Sequence, residues 1–184
     1  MRLYIAEKPS LARVVAAGIG GKQEKKKTYI RFENGDIIAW ALGHILVPKM
    51  PEEYNPEYKN WNLDALPIIP EVWELTEKKD AEGDDYLASL RSTIKEYLGK
   101  ATEVVNVGDP GREGQLLIGD LIKYYGYEGK RLRLWVENTT PEHVRSRLAI
   151  MRDDAEYEGL YLAGEARTRA DWLLGLNLTR LYTT

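Results

Sequence analysis

Three acidic residues stand where carboxylates do chemistry. Glu7 closes the run Leu3-Tyr4-Ile5-Ala6-Glu7, and Asp109 and Glu113 flank the tight segment Gly108-Asp109-Pro110-Gly111. Both sites follow short apolar runs that read as strands, and in an open α/β sheet functional groups collect just past the C-terminal strand ends. Carboxylates converging there suit Mg²⁺, a hard cation that takes oxygen ligands and keeps some of its water. The same cluster suits a general acid, because like charges repel and raise the pKa of one member. A third reading is local: Asp109 caps the following helix and Glu113 favours its positive N-terminus. Spacing leaves all three open.

The elements that must position these residues alternate. Arg2–Ala6 reads as a buried strand, and Ser10–Ile19 as a helix with Leu11, Val14, Val15 and Ile19 on one face and Pro9 at its start. Gly20-Gly21 and Lys25-Lys26-Lys27 read as a solvated loop. Asn34-Gly35 between Thr28–Phe32 and Ile37–Trp40 is a hairpin signal. Pro48–Pro70 reads as a long irregular loop, of a kind that is often functional. Then come a helix over Asp84–Leu98, a strand Glu103–Val107, a helix Glu113–Tyr125 and a strand Arg131–Val136. Thr140-Pro141 signals the N-cap and first turn of a helix through Met151. A last helix starts near Leu160 and reaches Thr184 without a stop signal, so the chain is expected to continue. Strands separated by helices predict an α/β, Rossmann-like fold: a central parallel sheet flanked by helices, with a hairpin and long-loop insertion.

Composition narrows the class. A chain of 184 residues buries about 70% of its unfolded surface and needs no metal or disulfide to fold. It has no Cys, consistent with a reducing, cytoplasmic setting. The first residues lack signal-peptide order, and the longest apolar stretch, Ile37–Val47, is broken by Gly43 and His44 and too short for a bilayer. The net charge of −3 excludes a generic nucleic-acid-coating protein, so DNA contacts must come from local patches. From Arg131 onward there are eight Arg and no Lys, and Arg suits bidentate phosphate contacts; helix-surface solubility serves equally for most of them.

The segments Ile5-Ala6-Glu7-Lys8-Pro9-Ser10 and Gly108-Asp109-Pro110-Gly111-Arg112-Glu113-Gly114-Gln115 resemble the two signature motifs of type IA DNA topoisomerases. Trp40-Ala41-Leu42-Gly43-His44, the stretch from Trp61-Asn62-Leu63 to Pro70, and Arg167-Thr168-Arg169-Ala170-Asp171-Trp172 resemble the topoisomerase III branch. The five segments fall in the family order along essentially the whole chain.

The resemblance implies a toprim-type domain over residues 1–155, with an insertion about 21–80, and the beginning of a helical DNA-groove domain over 156–184. It implies that Glu7 lies beside the scissile phosphate and protonates the leaving 3′ oxygen, and that Lys8 offsets phosphate charge. Glu7, Asp109 and Glu113 become the Mg²⁺ site, and Lys8, Arg112, Arg167, Arg169 and Asp171 the contacts to single-stranded DNA. One departure is plain: Gly111 stands where the family's Asp-x-Asp-x-Glu motif has its middle acid, so Mg²⁺ binding is expected to be weaker or differently arranged. None of the twelve Tyr has a context like the family's nucleophile. The chain alone is therefore expected not to cleave DNA, the tyrosine lying in the remaining domains of the same polypeptide.

Two other readings compete. One is a stand-alone toprim nuclease acting on RNA or DNA with carboxylates and Mg²⁺; the other is an inactive nucleic-acid-binding module, marked by Gly111. Individual residues also have plainer roles. His44 suits a structural hydrogen bond as well as a DNA contact, Trp61 and Trp73 suit loop packing, and Arg167 and Asp171 are spaced for a helical ion pair.

Overall fold

The computed structural model describes residues 1–79 and 85–183. In chain order its elements are β1 (Arg2–Ala6), α1 (Pro9–Ile19), β2 (Gln23–Lys25), β3 (Tyr29–Phe32), β4 (Ile37–Trp40), β5 (Leu46–Pro48) and the short α2 (Pro51–Tyr54). They continue with β6 (Leu75–Glu77), α3 (Tyr86–Leu98), β7 (Glu103–Val107), α4 (Arg112–Tyr124), β8 (Lys130–Arg133), α5 (Pro141–Leu148), β9 (Arg152–Asp153) and α6 (Glu158–Thr183).

Strand alternation divides the core. Leu3 and Ile5 of β1 pack in one cluster, with Val104 and the α4 residues Leu117, Ile118 and Leu121. Tyr4 and Ala6 pack in the other, with Val105, Val107 and Leu11, Ala12 and Val15 of α1. A strand buried on both faces is apolar at nearly every position, which is why β1 reads as a continuous run and β7 as one broken only by Asn106. β1 runs parallel to β4 and β7, and β7 parallel to β8. The full order is β2-β3-β4-β1-β7-β8-β9, with antiparallel pairs at both edges. The expected α/β fold with a mostly parallel central sheet is thus present. α1 packs on α5 through Gly18, where a side chain would drive into Val144.

Several local expectations change. Gln23–Lys25 is not loop but an antiparallel edge strand, largely exposed, so it lacks the apolar alternation that announces a strand. β8 stops at Arg133, although Leu134 and Val136 remain buried. The helix expected through Met151 ends at Leu148, and Thr140 makes no side-chain cap; β9 follows, two exposed residues that sequence pattern cannot reveal. β6, beyond the Pro48–Pro70 loop where no element is expected from the sequence, pairs antiparallel with β5. Asp84, the expected first residue of the third helix, lies outside the described residues.

The long Pro48–Pro70 segment is fixed by α6. The Asn177 side chain accepts from the Ile68 N–H at 2.7 Å and donates to its carbonyl at 3.0 Å. The Trp172 indole donates to the Lys49 carbonyl at 3.1 Å, and the Arg180 guanidinium to that of Tyr58 at 2.7 Å. No helix among the described residues is long and apolar enough to cross a membrane.

Candidate active site

Two parallel neighbours, β1 and β7, deliver the first acids. Ala6 stands opposite Val107 in register, so the residues that follow, Glu7 and the Gly108-Asp109 turn, emerge side by side. A Glu7 carboxylate oxygen accepts the Asp109 backbone N–H at 2.9 Å. The Lys8 ammonium donates to the Asp109 carboxylate at 2.5 Å, and that hydrogen bond raises the Lys8 pKa, against slight desolvation. Both partners are more than a third exposed. Such a pair contributes about 0.2–1 kcal/mol, little enough for a phosphate to displace.

The turn between Asp109 and α4 depends on glycine. Gly111, the residue before α4, has φ 132° and ψ 178°, a region essentially reserved for glycine. Gly108 and Gly114 lie against each other: a side chain on Gly114 would overlap the backbone of Asp109, and one on Gly108 the carbonyl of Gly114. Asp109 does not cap α4, contrary to the local reading; its carboxylate is turned to Lys8. Glu113 lies in the first turn of α4, where it complements the helix dipole.

Arginines meet Glu113. Arg112 Nε lies 3.5 Å and Arg167 Nε 4.0 Å from its carboxylate. Arg167 also pairs with Asp171 at 3.4 Å, the helical ion pair allowed by their spacing. Arg167 and Asp171 therefore stand on the Glu113 side of the α4 N-terminus. Arg169, two residues along, projects elsewhere on α6: it pairs with Glu165 at 2.8 Å and lies over the Trp73 ring. Trp73 packs edge-on against Trp172, and Trp61 lies beneath Arg180, so loop packing accounts for contacts of both.

Beneath the turn lies a polar network that the sequence reading missed. Asn106, Gln115, Arg133 and Asp154 are all buried. The Asn106 side chain accepts the Gly108 N–H at 3.0 Å and donates to Gln115 and Asp154, each at 3.2 Å. Gln115 donates to the same Asp154 oxygen at 2.9 Å. Arg133 donates to the carbonyls of Asn106, Gly108, Leu134 and Asp109 at 2.9–3.1 Å. Burial lowers its pKa to about 10. A signal existed: Asn106 interrupts the apolar run Val104-Val105-Asn106-Val107, and a buried polar side chain must have partners.

The three carboxylates carry the hard oxygen donors that Mg²⁺ prefers. As arranged, each is engaged: Glu7 by a backbone N–H, Asp109 by Lys8, Glu113 by two arginines. Among the described residues no group of three acidic, His or Cys side chains is disposed to hold a metal ion. Glu7 and Asp109 are brought together and Glu113 stands apart, so this arrangement does not fit a three-carboxylate metal cage. What it does offer is a carboxyl group beside a displaceable cation, at the mouth of a glycine turn.

Comparison with known proteins decides the relationship. DNA topoisomerase 3 of Vibrio cholerae is 40% identical over 99% of this chain. Those of Haemophilus influenzae and Shouchella clausii are 35% and 37% identical over the whole of it. Its sequence relatives are DNA topoisomerases 3. The chain spans only about a quarter of their length, 28% of the first two and 24% of the third. Among solved structures, full-length topoisomerase I from Thermotoga maritima aligns with 82% of this chain and 21% of its own, at 16% identity and a TM-score of 0.48; the relationship to topoisomerases 3 rests on the sequence matches. No protein-family model matches the chain.

Proposed function

We propose that this chain is the N-terminal, toprim-type part of a topoisomerase III-like type IA enzyme. That enzyme cleaves and rejoins single DNA strands through a phosphotyrosine to change DNA topology. The observation that carries the reading is the contact of the Asp109 N–H with Glu7 at 2.9 Å, with Lys8 beside both. It makes one cleft of the two segments whose sequences resemble the family motifs.

In this reading Glu7 gives a proton to the leaving 3′ oxygen. Lys8 leaves Asp109 for the phosphate, and Arg112, Arg167 and Asp171 border the strand; Arg169 meets DNA on the other side of α6, beside Trp73. Residues 1–155 form the toprim domain and 156–184 begin the DNA-groove domain. The tyrosine belongs to further domains of the same polypeptide, and the enzyme works in the cytoplasm. Mg²⁺ is the proposed cofactor of the whole enzyme; Glu7, Asp109 and Glu113 would hold it only after rearranging, because Lys8 and the arginines engage these carboxylates as they stand. No step is assigned to it.

The test uses the chain and a labelled single-stranded oligonucleotide. Anisotropy is expected to give weak binding whose log affinity falls with log salt by about 0.7 per phosphate contact. A denaturing gel is expected to show no covalent adduct and no cleavage. An adduct would mean that the nucleophile lies within these residues, and cleavage of RNA or DNA by the chain alone would support the nuclease reading instead.

A further inference from the structure

Behind the turn that carries Asp109, between β8, β9 and α5, lies a pocket of about 140 Å³. Its lining is Arg133, Trp135, Arg147, Ile150, Arg152 and Tyr157, with three arginines and no carboxylate. Trp135 and Tyr157 stack at 5.3 Å with their planes 16° apart and supply its aromatic wall.

The arginines are unevenly satisfied. Arg133 is 1% exposed, and every hydrogen bond it makes goes to a neutral carbonyl. Its Nε is buried without a partner, and so is that of Arg147. Buried donors are nearly always paired, and an exception calls for a missing group. Buried cations, in turn, are ordinarily paired with an anion. The carboxylates paired with the pocket's other arginines, Glu137 on Arg147 at 3.1 Å and Glu156 on Arg152 at 3.5 Å, are more than half exposed and belong to the rim; the buried Asp154 acts on Arg133 through space but makes no hydrogen bond to it. Ion pairs of that kind are weak and yield to a competitor.

We propose that this pocket binds one phosphate group, taken by the Nε donors of Arg133 and Arg147 and the guanidinium of Arg152. Three arginines line one small pocket, and Arg presents planar forks suited to phosphate oxygens. The volume is well below the about 300–1,000 Å³ of ordinary small-molecule pockets, so a compact anion fits and a whole nucleotide does not. The phosphate comes either from a nucleic-acid backbone or from free phosphate. Its charge compensates Arg133, whose remaining donors hold the carbonyls of Gly108 and Asp109, so occupancy braces the candidate active-site turn.

The experiment is calorimetric titration of the chain with inorganic phosphate, repeated on Arg147→Gln, Arg152→Gln and the remote control Arg13→Gln. Arg152 is 67% exposed, so its replacement leaves the fold intact, and thermal melts check this for each variant. Arg147→Gln and Arg152→Gln are expected to lose at least tenfold in affinity, and Arg13→Gln nothing. A second arm measures the salt slope for a single-stranded oligonucleotide without terminal phosphates. If the site takes a backbone phosphate, Arg152→Gln flattens the slope by about 0.7; if it takes free phosphate, the slope is unchanged while phosphate binding falls. No phosphate binding by the parent chain, or equal affinities in all three variants, overturns the proposal. The phosphate arm does not rest on the proposed function: phosphate binding without oligonucleotide binding would count against that function alone.

Discussion

Gly111→Ala tests whether the departure from the family motif is built into the backbone. At φ 132° and ψ 178° an L-residue is strained by about 1–3 kcal/mol. Nothing lies within 4 Å of the position a Cβ would take, so no steric clash adds to that strain. Stiffening the unfolded chain returns about 0.4–1 kcal/mol, which leaves a net loss of about 0–2.6 kcal/mol. For a domain of this size each kcal/mol lowers Tm by about 2–4 °C. The assay is urea unfolding at 25 °C with a parallel thermal melt. Gly111→Asp should lose stability for the same reason, the more so because its carboxylate joins Asp109 and Glu113. Saturating Mg²⁺ should restore stability to the Asp variant only. An Ala variant more stable than the parent would refute the claim that this turn requires glycine.

Burial lifts the Asp120 carboxyl to about 6 from 3.8, opposed by the hydrogen bond it accepts from the Tyr161 hydroxyl at 2.9 Å. The folded state then holds this proton more tightly than the unfolded state, so its contribution to stability is full below about pH 4 and is lost as pH rises through about 6. Asp120→Asn keeps an acceptor for Tyr161 and should gain up to about 3 kcal/mol at pH 7.5 but little at about pH 3, read from urea midpoints; no gain at pH 7.5 contradicts it. Asp154→Leu should cost about 1–3 kcal/mol for the Gln115 amide, which it leaves unpaired while Asn106 keeps its bond to Gln115; an unchanged urea midpoint would show that network to be dispensable. Lys8→Ala should strengthen Mg²⁺ binding severalfold in calorimetry by freeing Asp109, and equal affinities would mean that Asp109 is not a ligand.

What the sequence disclosed was decided by burial on two faces. Leu3-Tyr4-Ile5-Ala6 and Val104–Val107 can only be central strands, and two such strands side by side bring Glu7 and Asp109 together. The edges were not legible: β2 and β9 are exposed and short, with no apolar pattern to betray them. Nor was Arg133, because a basic residue in a strand reads as a surface position until the turn that needs its donors is in view. Gly111 was read as a lost ligand; its backbone conformation adds a second cause that no composition argument contains. Arg167 and Arg169 were grouped by motif, yet two residues of helix separate their directions, one toward Glu113 and the other toward Trp73.

The central claim is that Glu7 serves strand cleavage as an acid. It is tested by replacing the matching segment of Vibrio cholerae DNA topoisomerase 3 with this chain and assaying a labelled single-stranded oligonucleotide on a denaturing gel. The hybrid should form a covalent adduct. Glu7→Gln, nearly isosteric but unable to give up a proton as a carboxylic acid does, should retain DNA binding and lose most of the adduct. A Glu7→Gln hybrid that forms adduct as well as the parent hybrid would contradict the account.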